Sequence, residues 1–112
     1  MKIFICISLG LLVSLNVFAA GYIAENSIVT EVRNTGGNNS AARFELVVSE
    51  GTGDCIGRTI IFPASAAMDP EAHSRAYASA LTAFSTGSNV KIYNYIDDTC
   101  SNAAYISISK QN

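Results

Sequence analysis

Tryptophan is absent from this chain, histidine occurs once, proline twice and cysteine three times. One histidine, with no thiol left free once the cysteines are assigned as below, argues against a zinc site. A hydrolytic triad would need His73 beside a nucleophile and an orienting carboxylate, and no Walker, GxSxG or HExxH pattern is present. Charged residues are scarce at 14%, and they form no basic stripe of the kind that tracks a nucleic-acid backbone. No internal repeat, low-complexity tract or linker interrupts the sequence. These absences predict no catalytic residue, no metal site, no cofactor and no nucleic-acid partner, so a non-enzymatic domain is expected.

The one long apolar run lies at the start. Lys2 supplies a positive n-region, Ile3 to Val17 is nearly continuous apolar sequence, and Val17-Phe18-Ala19 places small residues where a signal peptidase reads them. The run is short for a bilayer span. We read residues 1–19 as a secretion signal and 20–112 as a single domain, exported to the periplasm or secreted, with no membrane span after cleavage. Cleavage after Ala20 and an uncleaved anchor are the alternatives. Cys6 leaves with the leader. Loss of Lys2 leaves six basic against nine acidic residues, a net charge near −3.

Cys55 and Cys100 remain. In an oxidising compartment an even pair in a small domain reads as a disulfide; free thiols or an intermolecular bridge are the alternatives. Closing that loop is worth about 4 kcal/mol by chain entropy, before native strain subtracts from it. A domain this small buries a modest share of its surface, so the increment matters.

Period-two alternation marks five strands. They cover 28–33, Arg43 to Ser49, Ile56 to Phe62, Val90 to Ile96, and Ala104 to Ser109. Asn34 to Ser40 and Glu50 to Asp54 are turns by composition, and the strands flanking the second turn should pair antiparallel. Pro63 ends the third strand. Asp69-Pro70-Glu71 then reads as a cap, a first-turn proline and an early carboxylate. His73, Ala76, Tyr77, Ala80, Leu81 and Phe84 follow at helical spacing, and Gly87 is placed as a C-cap. His73 sits on or beside this apolar stripe as packing. The fold class expected is mainly β with one helix, an OB-fold-like five-stranded barrel in the order β-β-β-α-β-β. A flat α+β sandwich shares that order, but closure removes exposed edges.

Candidate binding residues come from the fourth strand. Tyr93, Tyr95 and Lys91 share the face opposite Val90, Ile92 and Ile96. If the aliphatic face is core, the tyrosines point outward, where a ring packs and a hydroxyl hydrogen-bonds. A covering helix or neighbouring subunit is the alternative. Asn89, Asn94 and Asn102 add amides suited to sugar hydroxyls. Gly51-Thr-Gly53 is too short for a phosphate cradle, and Asp97-Asp98 reads as a solvated turn.

The stretch Ala83-Phe84-Ser85-Thr86-Gly87-Ser88-Asn89-Val90-Lys91-Ile92 resembles the end of the helix and the following strand in the B subunits of subtilase cytotoxin and typhoid toxin. The leader, mature size, element order and proline-started helix agree as well. The resemblance implies an OB-fold, a ring of five copies and binding of sialylated host glycans, the ring delivering a toxic subunit. Small exported bacterial proteins of unknown function share the same layout, without any such subunit. The matching residues carry fold and not sugar recognition. That family's sugar site includes a serine in a Ser-Asp-Glu context, where this chain has Ala24-Glu25-Asn26-Ser27, and its cysteines are arranged differently, so no binding residue transfers. The function expected is binding of a glycan or protein partner, with a homopentamer implied. The alternative is a periplasmic structural or inhibitor protein acting by protein contact.

N-terminal sequencing of exported protein should read from Ala20; a chain still beginning at Met1 would establish an uncleaved anchor.

Overall fold

The computed structural model describes residues 20–35 and 42–111. The expected leader, and residues 36–40 of the first expected turn, lie outside the described residues. Among the described residues five strands and one α-helix follow the expected order: β1 (Gly21–Asn34), β2 (Arg43–Ser49), β3 (Thr59–Pro63), α1 (Pro70–Thr86), β4 (Asn89–Asn94) and β5 (Tyr105–Ser109). A 3-10 turn, Ala64–Ala66, leads from β3 towards α1. The strands form one antiparallel sheet in the order β3-β2-β1-β4-β5.

β1 starts at Gly21, well before the alternating stretch at 28–33, because its first half breaks the period. Register shifts lie between Tyr22 and Ala24 and between Ala24 and Ser27, and Asn26 has φ 56°. An unpaired residue bends a strand and re-aims its side chains, so alternation is not readable there. A third shift, between Val29 and Glu31, lets Val29 and Val32 both meet the core. In β2 the expected face is the buried one: Phe44, Leu46 and Val48 are all inside. Ile60 and Phe62 of β3 meet them, the rings of Phe44 and Phe62 stacked at 4.6 Å.

β3 begins three residues later than the alternation of 56–62 suggests. Cys55–Arg58 is a turn with Gly57 at φ 78°, which leaves Arg58 exposed rather than on the face of Ile60. α1 is capped as expected. Asp69 accepts from the Ala72 N–H (2.8 Å), and Gly87, at φ 70°, donates its N–H to Ala83. Its buried stripe is Ala76, Ala80 and Ala83, while Leu81 and Phe84, expected on that stripe, are 39% and 50% exposed. Methyl side chains let the helix axis come close to β1 and β5, against which it packs. Bulkier side chains on that line would hold it off.

The closed barrel does not form, which corrects the expectation of an OB-like closure. β3 and β5 share no ladder. The gap is joined otherwise. Ile61 donates to Cys100 (2.8 Å) and accepts from Ala103 (3.0 Å) through backbone groups, and Cys55 is bonded to Cys100 with Cα atoms 5.8 Å apart. The segment that would have laddered to β3 is consumed by a side-chain-organised turn and by this fastening.

The 50–54 turn is packed tightly on β1. Thr52 exchanges two backbone bonds with Glu25 (2.8 and 3.0 Å), and the Cys55 N–H donates to Ile23. The buried Ser27 hydroxyl donates to the Glu50 and Glu25 carbonyls. At Gly51, φ is 79° and an added Cβ would overlap the Glu25 carbonyl oxygen. At Gly21 a Cβ meets nothing within 4 Å.

Gly51→Ala should therefore cost about 2 kcal/mol or more of stability, from strain plus backbone overlap. Gly21→Ala should change it by less than about 0.5 kcal/mol. Urea denaturation midpoints at unchanged slope would measure both.

Candidate binding face

The outer face of β1, β4 and β5 carries the aromatic surface. In the sheet register Tyr22 on β1 lies opposite Tyr93 on β4, and Tyr93 opposite Tyr105 on β5. Cross-strand neighbours on one face are close enough for rings to interact. Tyr22 and Tyr93 meet edge-to-face at 4.8 Å between centroids, and Tyr105 lies 6.3 Å from Tyr93. Tyr95, just beyond β4, packs on Tyr93 at 4.8 Å and faces Tyr105 at 6.5 Å. Four of the five tyrosines in the chain thus form one cluster. Tyr22, Tyr95 and Tyr105 are 44%, 61% and 36% exposed, and Tyr93 is half-buried beneath them. Edge-to-face geometry suits the ring quadrupoles and fixes the rings against one another.

Lys91 lies one step along the same face, with its Nζ 5.4 Å from the Tyr22 ring centroid. A cation over a ring is held by the ring's negative face, which keeps the ammonium beside the cluster. The structure therefore brings Tyr93, Tyr95 and Lys91 together as expected from β4, and adds Tyr22 and Tyr105. Neither stood out in sequence. Tyr105 alternates in β5 and could have been matched by pairing the last two strands. Tyr22 sits in the irregular half of β1, where no period reveals its face.

Beside the cluster, an apolar groove of about 550 Å³ is lined by Tyr95 and Tyr105 together with Met68 and Ala72. Three more of its lining residues, Ala66, Ala67 and Ala104, are small. Met68 is 90% exposed.

The turn that presents Tyr95 is organised by two polar side chains. Asn94 is fully buried. Its Oδ1 accepts from the Ile96 and Asp97 N–H groups, and its Nδ2 donates to Asp97 Oδ1 and to the Thr99 carbonyl. Asp97 Oδ1 also accepts from Thr99 N–H and Oγ1, and Oδ2 accepts from Asn102. The Thr99 bonds, chiefly the backbone one, then those from Asn94 and Asn102, hold the Asp97 carboxyl below its ordinary value. This turn ends β4 at Asn94 and swings Ile96, expected in the core, out to 55% exposure. Asn94 and Asn102 are consequently committed to the fold rather than offered to a sugar, and both Asp97 oxygens already hold donors.

Other titratable groups serve packing. The His73 Nε2 is 2.8 Å from the Phe62 carbonyl and the ring lies against Phe44, the half-buried packing role expected of it. Glu45, buried on the other face of β2, is bracketed by Arg33 (2.7 Å) and Arg43 (2.8 Å). Arg33 also binds Glu31, whose carboxyl the guanidinium lowers. Among the described residues no three His, Cys, Asp or Glu side chains gather as a metal site, and no helix is long and apolar enough to cross a membrane.

A family model described as a family of unknown function, DUF5992, matches residues 3–110. No curated protein and no solved structure matches the chain.

Because the Asp97 pKa is lowered on folding, its contribution is fully present above the unfolded value, about 3.9, and is lost as pH falls through the folded one. Asp97→Asn should lower the melting temperature. The gap from the native protein should be widest above about pH 4 and should narrow towards about pH 2, read by thermal melts across that range.

Proposed function

The chain belongs to DUF5992, a family of unknown function, and from the face it exposes we propose that it is an exported, non-enzymatic binding module whose ligand is a carbohydrate. The observation that carries this reading is the cluster of Tyr22, Tyr93, Tyr95 and Tyr105 with Lys91 beside it. Exposed tyrosines offer an apolar ring to the C–H face of a sugar and a hydroxyl to its oxygens. Their mutual packing leaves little conformational freedom to lose on binding. Lys91 and Ser107, paired across β4 and β5, extend the face with polar groups. The disulfide supports export to an oxidising compartment. The resemblance at Ala83–Ile92 to toxin B subunits supports a shared layout and not the ligand; a ring of five belongs to the same proposal.

A second reading, contact with a protein, is favoured by the apolar groove and its exposed Met68. Apolar depressions that accept a partner's anchor side chain are common centres of protein interfaces.

A glycan array with native mass spectrometry tests the first reading. Tyr95→Ala and Tyr105→Ala should each weaken glycan binding by about 3- to 10-fold, the worth of one aromatic contact, with the far-UV spectrum unchanged. Leu81→Ala, on the outer side of α1, should leave binding as it was. A monomer that binds no glycan, yet retains a periplasmic protein through the groove in a pull-down, would transfer the function to the second reading.

A further inference from the structure

Both tyrosine walls of the groove, Tyr95 and Tyr105, stand at the ends of a single irregular segment, and the middle of that segment is held from outside itself. Cys100, 7% exposed, is bonded to the fully buried Cys55 in the turn before β3. At this anchor the Cys100 carbonyl accepts from Ile61, and three residues on the Ala103 N–H donates to Ile61. Tyr105 is held to β4 by the ladder and Ala104 by its N–H to the Tyr93 carbonyl, but β3 and β5 share no ladder, so this fastening fixes how the end of β3, which leads to Ala66 and Met68 of the groove, lies against residues 100–103. The Asn94–Asp97 turn orders the near end, but its bonds are all local, between residues 94 and 102. Local bonds shape a turn without setting its position across the sheet.

We infer that the groove is conditional on oxidation: the Cys55–Cys100 bond holds its β3 side against its tyrosine side, and the reduced chain keeps its β2–β1–β4–β5 ladders while the groove is unformed. Formation joins the two Sγ atoms. The two protons and two electrons released go to an acceptor disulfide by thiol–disulfide exchange, which leaves as two thiols. Once made, the bond is shielded by burial, so the device acts once, at export, and does not toggle. The consequence for ligand binding rests on the function proposed above; the structural claim does not, and its test uses no ligand.

The experiment is hydrogen exchange with NMR on full-length mature protein, oxidised and then refolded with its thiols kept reduced by a phosphine. In reduced protein the Ile61 and Ala103 amides should exchange at least about tenfold faster and the Tyr95 and Tyr105 ring resonances should move, while amides of the β1–β2 ladder keep their protection. The Cys55→Ala/Cys100→Ala double variant should reproduce that pattern. Unchanged protection and ring shifts in reduced protein would overturn the inference. Uniform loss of protection would overturn it too, since the bond would then hold the whole fold rather than the face.

Discussion

The fold depends on how a sheet of five strands deals with ends that do not meet. β3 is five residues long and stops at a proline, and β5 begins only after a turn of polar residues. A ladder between them would need a run of extended backbone that neither side has. The covalent bond from Cys55 to Cys100 and the two backbone bonds of Ile61 take its place. Buried in the core beside Ile60 and Phe62, the bridge is shielded from solvent. It constrains the unfolded chain over a separation of 45 residues, which in a domain this small is a large share of net stability.

The other close approaches serve the same compactness. The 50–54 turn lies on β1 with glycine backbone against carbonyl oxygen, and α1 rests on three alanines. Both contacts replace side-chain bulk with backbone proximity. The core then concentrates its larger groups between β2, β3 and β4, where Leu46, Ile60, Phe62 and Ile92 are completely enclosed. Each such side chain contributes about 1.5–3 kcal/mol by burial, against a chain entropy that consumes most of the total. The buried polar residues are compensated: Ser27 and Asn94 by hydrogen bonds, Glu45 by two guanidinium groups.

That division of labour leaves one face of the sheet free of structural duty. The inner faces of β4 and β5 supply Val90, Ile92, Ile106 and Ile108 to the core, so their outer faces are open to carry tyrosines, serine and lysine. The tyrosines pack on one another, Tyr22, Tyr93 and Tyr105 edge-to-face and Tyr95 tilted on Tyr93, which orders a partly exposed aromatic group. The groove beside them is a by-product of the irregular segment that leads from β4 to β5.

Much of this was legible in residue order. Alternation located β2 and the buried face of β4, the Asp69-Pro70 and Gly87 punctuation bounded α1 almost to the residue, and compartment chemistry paired Cys55 with Cys100. Tyr93, Tyr95 and Lys91 were found because they share one strand face, a local property. Tyr22 and Tyr105 joined them only through strand pairing with β4, Tyr105 from twelve positions away and Tyr22 from some seventy. The start of β1, the exposure of Ile96 and Phe84, and the open sheet were likewise decided by tertiary structure. Bulges, a side-chain-organised turn and a helix seated on alanine are settled by what packs against them, and period alone does not record it. By itself the sequence determined the elements, their order and the covalent bridge, since each follows from neighbours along the chain. Only the folded arrangement decided which faces meet, because register and closure are properties of pairs of segments.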